Sequence, residues 1–394
     1  MRYLFIMLVP ALIFADSIST LFDRVKQSDL YKSRSEAIDA EFEQKRASVY
    51  NDGWRVGGDL TYADVKDGSD SGTEYSVSIG KDFMLSGSKI EALLKEEKNY
   101  AKMLKEIEKN RIKARLWQLY GSYCITMKAL QAKGELGVIY DEMNRYIDKG
   151  VRFGEFDASK SIMAHLALEN LNLQISELDS RLQEYEAQIE AIVPFDGQFE
   201  CRRLRPDFNK LFDPKYSALW PMLEGKVTSA KKMVELSGNR TQTLGIDGTY
   251  VDEIDTRRYV LSLSIPLAFG SKNEAERAAA MHTFAAARHE LEAFQKRYAQ
   301  DTKALETRLD IYRNHVSNTE SSIKLSTDTL ISQSRMRFVA GEESFISMLK
   351  AAETKLQMIE TILDLKTKRH EAVSNYLYNY AIDPERVSLA PSCR

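Results

Sequence analysis

The sequence predicts a mainly α fold with a little β: long antiparallel coiled-coil helices carrying two β-hairpins, four strands in all. Three observations predict it. Apolar residues recur at alternating steps of three and four over stretches far longer than an ordinary helix. Two short regions, opening near Gly57 and Leu244, switch to strict polar–apolar alternation. The same series of elements then occurs twice in one chain.

The elements follow in chain order. Met1-Arg2 supplies a positive start, Tyr3 to Phe14 is almost wholly apolar, and Ala15 is a small residue at a cleavage point. Residues 1–15 read as a secretory signal peptide, too short to span a bilayer as a helix. Ile13 is larger than cleavage prefers three positions back, so the cut is free to shift slightly. No cysteine follows the apolar run, so no lipid anchor is expected, and the protein is expected to be exported.

Residues 16–193 form the first repeat: a helix, a hairpin at about 54–83, a very long helix from Ser88 to Asp148, a turn at about 148–159 and a returning helix. Residues 194–214, with three prolines and little periodicity, form an irregular connection. Residues 215–381 repeat the order, with a helix to about Leu236, a hairpin at about 241–269, a long helix from Ser271 to Arg337, a turn at about 338–344 and a helix. Residues 382–394 read as a loose tail.

Three stripes mark the helices. They are Leu168, Leu171, Ile175, Leu178, Leu182, Tyr185 and Ile189; Leu305, Leu309, Tyr312, Val316, Thr319, Ile323, Ser326 and Leu330; and Phe345, Leu349, Ala352, Leu356, Ile359 and Leu363. A mean step of 3.5 predicts supercoiling against neighbours. The two longest helices would each reach on the order of 90–100 Å at 1.5 Å per residue. Short glycine-bearing turns make their partners antiparallel.

The duplication is carried by residues as well as by order. Gly57, Asp59, Thr61, Tyr62 and Asp64 match Gly245, Asp247, Thr249, Tyr250 and Asp252 at one constant offset. Gly87-Ser88-Lys89 and Gly270-Ser271-Lys272 open the long helices. Arg152-Phe153-Gly154-Glu155 and Arg337-Phe338…Gly341-Glu342 mark the turns.

Composition excludes several classes of function. A net charge of −3 with Lys and Glu evenly scattered leaves no basic face for nucleic acid. With 29% charged residues and eight prolines, the chain is composed like a coiled coil. Cys124, Cys201 and Cys393 are too few for a disulfide framework; an oxidising compartment permits one bridge, and the sequence does not choose the pair. No catalytic, cofactor or metal constellation is present. There is no Gly-x-Ser-x-Gly elbow, no phosphate loop and no CxxC, and Ala293 stands where a zinc-protease string begun by His289-Glu290 needs histidine. Met103, Met127 and Met143 are spread along a helix rather than gathered as ligands.

The hairpins carry the functional reading. Val56, Gly58, Leu60 and Tyr62 share one face of the first strand, and Tyr75, Val77, Ile79 and Phe83 one face of the second. Leu244, Ile246 and Tyr250 do so on the third, and Tyr259, Leu261, Leu263, Ile265 and Leu267 on the fourth. Strands of about ten residues cross a bilayer at a barrel's tilt. Tyr62, Tyr75, Phe83, Tyr250, Tyr259 and Phe269 lie at strand ends, where aromatic girdles belong. Four strands are too few to close a barrel, and lipid tolerates no open edge, so copies must pool strands; three give twelve. Alternation alone leaves open a small water-soluble sheet lying on a helical bundle.

This arrangement resembles the TolC-like outer-membrane efflux protein family, the outer membrane factors of tripartite export systems. The resemblance spans essentially the whole mature chain. Its marks are the paired hairpins, "SIPLAFGSKNEAERAAA" from Ser264 and "RFVAGEESFISMLKAAETKL" from Arg337. It implies a homotrimer in the bacterial outer membrane: a shared 12-stranded transmembrane β-barrel and a long antiparallel coiled-coil helical barrel forming a periplasmic tunnel. It implies a passive, cofactor-free exit duct for small molecules (drugs, toxic compounds or metal ions). Type I protein secretion and a soluble periplasmic scaffold or adaptor stand as alternatives.

The resemblance also assigns residues. The helical turns would form a periplasmic tip where an adaptor and an inner-membrane pump dock, through Gly150, Arg152, Phe153, Gly154 and Glu155 and through Phe338, Gly341, Glu342, Glu343 and Ser344. The family's best-known member narrows its tip with aspartates; Ser347 and Lys350 stand there in this chain. Asp157, Glu342 and Glu343 remain as sources of an anionic constriction.

Overall fold

A computed structural model describes residues 17–49, 53–63, 72–85, 87–195, 199–201, 204–237, 243–253, 256–265 and 271–388. The expected signal peptide, Phe269 and Cys393 lie outside these residues. The elements are α1 (Ile18–Arg24), a 3-10 turn (Val25–Gln27), α2 (Asp29–Val49), β1 (Trp54–Ala63), β2 (Gly72–Met84), α3 (Gly87–Arg152) and α4 (Ala158–Glu190). After them come α5 (Phe208–Leu211), a 3-10 turn (Pro214–Tyr216), α6 (Leu219–Ser237), β3 (Thr243–Asp252), β4 (Arg257–Ser264), α7 (Ser271–Val339) and α8 (Phe345–Asn379). The chain divides into two compact units, and α3 and α7 each contribute to both.

One unit comprises Arg34–Glu106 and Leu219–Lys296. Its four strands form a single antiparallel sheet in the order β1-β2-β3-β4, so the two hairpins pair with one another through β2 and β3. Beside the sheet, the helical segments are tied by ion pairs: Lys105 to Asp39 at 2.5 Å, Lys232 to Glu96 at 2.9 Å and Lys226 to Glu290 at 2.6 Å. Trp220 sets an edge-on contact against Phe294.

The other unit comprises Met1–Ser33, Ile107–Ala218 and Arg297–Arg394. Its axis is the C-terminal part of α3, which buries Leu116, Trp117, Tyr120, Leu136, Tyr140 and Ile147. Leu171, Leu178, Leu182 and Ile189 of α4 are buried at the spacing the sequence predicts. The α7 stripe departs from expectation. Leu305 and Leu309 are buried, but Ser326 and Leu330 face outward, and Thr327, Ile331, Ser334 and Phe338 take the inner face. Along the described end of α7 the buried positions Thr327, Ile331, Ser334 and Phe338 step by four, three and four, nearer 3.67 residues per turn than 3.5. A strict heptad drifts about 20° per repeat against the 3.6-residue turn of an ideal α-helix, which carries the projected stripe off the buried face.

Residues 382–388 correct the expectation of a loose tail. Ile382 and Val387 are fully buried, and Asp383 and Glu385 flank the buried ammonium of Lys113 at 3.3 and 2.7 Å. Ser388 bridges to Pro206 and Ile382 to Ser217, so the segment pairs with the connection between repeats. Cys124 and Cys201 form a disulfide that fastens this connection to α3 across 77 residues of sequence. Phe199 packs edge-on against Tyr120 and Tyr123 beside it. Asn110 donates to the Ala381 carbonyl at 3.0 Å, fixing the turn that ends α8.

Candidate membrane face and helical turns

The strand register sorts every residue of the sheet onto one of two faces. Trp54 pairs with Lys81, Val56 with Ile79, Val77 with Tyr250 and Gly248 with Leu261. One face therefore carries Val56, Leu60, Tyr62, Tyr75, Val77, Ile79, Phe83, Ile246, Tyr259, Leu261 and Leu263. The other carries Arg55, Asp59, Thr61, Glu74, Ser76, Ser78, Asp82, Asp247, Thr249, Ser262 and Ser264. Burial runs opposite to that of a water-soluble sheet. Val56, Leu60, Tyr259 and Leu261 are 76 to 82% exposed, whereas on the polar face Glu74, Ser76, Ser78, Asp247 and Thr249 of the two central strands are half-buried and Arg55, Asp59, Thr61, Ser262 and Ser264 of the edge strands are exposed. A continuous apolar surface left open in this way marks contact with lipid or with another protein.

Both ends of the apolar face are aromatic. Tyr75, Tyr250 and Tyr259 form a ladder at the hairpin-loop end, with ring centroids 6.2 and 5.3 Å apart. At the other end the Lys81 ammonium lies between the rings of Trp54 and Phe83, 5.1 and 5.3 Å from their centroids. From Trp54 to Tyr62 is about 26 Å of strand at roughly 3.3 Å per step, which suits the apolar band of an outer-membrane barrel.

A clamp on the polar face joins the hairpins. Arg55 of β1 reaches over β2 to Asp247 of β3 at 3.0 Å and also lies 3.2 Å from Asp82. It crosses at Gly80, where a Cβ would sit 1.8 Å from the Asp247 carboxylate oxygen. Only glycine leaves that path clear.

In the other unit, α3 and α7 end in the same backbone turn. Gly154 N–H donates to Val151 O and Glu155 N–H to Gly150 O; Gly341 N–H donates to Phe338 O and Glu342 N–H to Arg337 O. These are Schellman ends, with Gly154 and Gly341 in the left-handed position at φ +76° and +75°. Gly154-Glu155 and Gly341-Glu342 are thus equivalent, but the two Arg-Phe pairs are not. Phe153 is 79% exposed beyond its helix, while Phe338 lies two residues earlier relative to the turn glycine, inside its helix, and is buried.

Phe338 anchors an aromatic cluster beneath the turns. It stacks on Phe156 at 6.0 Å, meets Tyr146 edge-on at 5.2 Å and approaches Phe345 at 6.3 Å. Gly150 is buried because Phe156 covers it; a Cβ there would lie 2.2 Å from that ring. Gly150 and Phe338 therefore support the turns from below and cannot themselves be touched by a partner. Arg152, Phe153, Gly154, Glu155, Gly341, Glu342 and Ser344 are exposed.

Ser344 caps α8 by accepting from the Ser347 N–H, and the two hydroxyls lie 3.1 Å apart. Ser334 donates to Glu343 at 3.3 Å, which turns that carboxylate toward α7. Asp157 and Lys350, from the expected constriction, are exposed. Nearby, Ser161 donates to Asp148 at 2.7 Å and holds its carboxyl below the usual range, helped by His165.

No family model matches this sequence, and no curated relative does. Solved structures do match over nearly the whole chain. VceC, an outer membrane protein of Vibrio cholerae, superposes with a TM-score of 0.73 at 10% identity, covering 93% of this chain and 96% of its own. CusC, described in terms of folding and transmembrane channel formation, gives 0.71 at 13% identity, covering 94% and 92%. The Campylobacter jejuni CmeC outer membrane channel gives 0.71 at 14% identity, covering 93% and 85%. This chain has the TolC-like fold.

Within the TolC-like fold, two features of the site escaped the sequence. The Arg55–Asp247 clamp joins residues 192 positions apart and needs the β2–β3 register to be seen. Phe156 was hidden among turn residues; it follows Gly150 and Gly154, and only the folded turn shows its ring lying over Gly150. Among the described residues no group of three or more His, Cys, Asp or Glu is placed to hold a metal ion, and no helix is long and apolar enough to cross a membrane.

Proposed function

We propose that this chain is one protomer of a homotrimeric outer-membrane duct, which conducts small molecules passively from a pump and adaptor across periplasm and outer membrane. The observation that carries the reading is the sheet with its apolar face, edged by aromatics, left open, and with an opposite face of charged and hydroxyl side chains that is half-buried along the central strands. Lipid suits the first and a wet bore the second. The unpaired edges of β1 and β4 require further strands, and three copies supply twelve. The likeness to outer membrane channels supports the same reading.

The exposed turn residues Arg152, Phe153, Gly154, Glu155, Gly341, Glu342 and Ser344 receive the adaptor, with Gly150 and Phe338 holding the turns in shape. Asp157, Glu343, Ser347 and Lys350 line the constriction. The duct performs no chemistry, and the pump chooses the cargo. Drugs, toxic compounds or metal ions are the cargo in this reading.

The test is fractionation followed by native mass measurement in mild detergent. A detergent-dependent trimer in the outer-membrane fraction is expected. A water-soluble monomer or dimer would replace the reading with a periplasmic scaffold. Sensitivity to toxic small molecules after deletion is the expected phenotype; loss of a secreted protein alone would move the assignment to type I secretion.

A further inference from the structure

The internal duplication fixes how one copy of the chain meets the next. The two repeats align at 188 residues through β1 and β3, since Gly57, Asp59, Thr61 and Tyr62 match Gly245, Asp247, Thr249 and Tyr250. The observed β1–β2 and β3–β4 registers then demand that β2 map onto β4 at an offset of 186. The sequence agrees independently: Ser76-x-Ser78-Ile79 and Ser262-x-Ser264-Ile265 coincide at that offset, as do Phe83 and Phe269. Two separate lines, hydrogen-bonded register and residue identity, give one alignment.

Within the chain, the junction between repeats is the β2–β3 pairing, with Ser76 opposite Val251 and Ser78 opposite Thr249. The chain leaves two edges open: the far side of β4, which is the repeat-equivalent of β2, and the far side of β1, the equivalent of β3. An edge strand with unsatisfied backbone groups in lipid must find a partner.

From the trimeric barrel reading above, we infer that β4 of one protomer pairs with β1 of the next in the register of β2 with β3. Carried over residue by residue, Ser264 meets Thr61, Leu263 meets Tyr62, and Ile265 meets Leu60 of the adjoining copy. The faces match without adjustment: Leu263 and Ile265 meet apolar residues, and Ser264 meets a polar one. A slip of one residue would set Leu263 against Thr61 and turn apolar side chains into the bore.

Cysteine pairs test the register. Directly opposite residues in an antiparallel pair lie about 4.5–5.5 Å apart at Cα, within disulfide reach. Same-face neighbours two residues away lie at roughly 7–8 Å, outside it. In a Cys393→Ser background, full-length Thr61→Cys/Ser264→Cys protein in outer membranes should give, on oxidation, a reducible species of three-fold mass. Leu60→Cys/Ile265→Cys should do the same from the lipid side. Asp59→Cys/Ser264→Cys should give roughly ten-fold less of it.

If the protein is a detergent-stable trimer but Asp59→Cys/Ser264→Cys is the pair that links, the register is overturned and the duct stands. If it is also a trimer but none of these pairs links, the β4–β1 seam is wrong. A monomer without cross-links overturns both.

Discussion

Replacing Leu261 by arginine separates a lipid-facing sheet from a water-facing one. Leu261 lies midway along β4, opposite Gly248, which is opposite Ile79 at the middle of β2. It is 81% exposed, so in water the substitution removes almost no packing and should change stability by no more than about 0.5 kcal/mol. At a bilayer midplane the same arginine costs about 2–4 kcal/mol. A trimer carries three copies, too far apart to couple, so the penalty sums to roughly 6–12 kcal/mol. The neighbouring Ser262, on the opposite face, is the control: in the proposed barrel Ser262→Arg would point into the bore and meet no hydrocarbon. The assay is the urea midpoint of protein refolded into phospholipid vesicles, together with the temperature at which the trimer dissociates in detergent. Leu261→Arg should fall well below the parent on both while Ser262→Arg stays near it. Equal behaviour of the two variants, or an unaffected Leu261→Arg, would refute the lipid face.

Other expectations follow from the second unit. Cys201→Ser opens a loop of 77 residues and should cost about 4.5 kcal/mol by loop-closure entropy, read as a lowered denaturant midpoint that reductant reproduces in the parent. Gly341→Val forces a branched residue into φ +75°, at about 1–2 kcal/mol; the trimer should persist in detergent while export in cells is lost. His370 is half-buried with its ring packed against Gly121 and its Nε2 at 2.9 Å from the Gln118 carbonyl, and desolvation holds its pKa below the ordinary 6.5. The unfolded chain therefore takes up the proton first, and stability should fall as pH drops from about 6.5 toward the lowered folded value. His370→Gln should flatten that part of the thermal-stability profile against pH.

Much of this fold was legible because periodicity is a local property. Alternation over ten residues specified each strand and its faces, and the α4 stripe needed only the 3.6-residue geometry of a helix. Legibility failed where distance or accumulated drift decided the outcome. The α7 stripe began correctly at Leu305 and Leu309, but by Ser326 and Leu330 a heptad projection had rotated onto the outer face. Phe153 and Phe338 each follow an arginine, but their spacing to the turn glycine differs, one residue before Gly154 against three before Gly341, so one lies just past its helix end and the other just inside it. Residues 382–388 looked loose because they contain little periodicity. Their order comes from Lys113, whose sequence separation from Asp383 is 270. The disulfide partner of Cys124 was equally a matter of which loop returns to α3.

The late position of that clasp has a consequence in time. Synthesis delivers α3 and Cys201 long before Ile382, Asp383 and Val387 arrive. Both cysteines of the disulfide that staples the connection between repeats are therefore made early, but Lys113 waits without its counter-charges until the end. Pro206 and Ser217 wait as well for Ser388 and Ile382. A chain stalled or trimmed before Tyr380 would hold every strand and every long helix, yet leave a buried cation unmatched and two backbone bridges unmade. The second unit therefore cannot finish folding until synthesis has passed the last helix, which makes full length itself a condition of maturity.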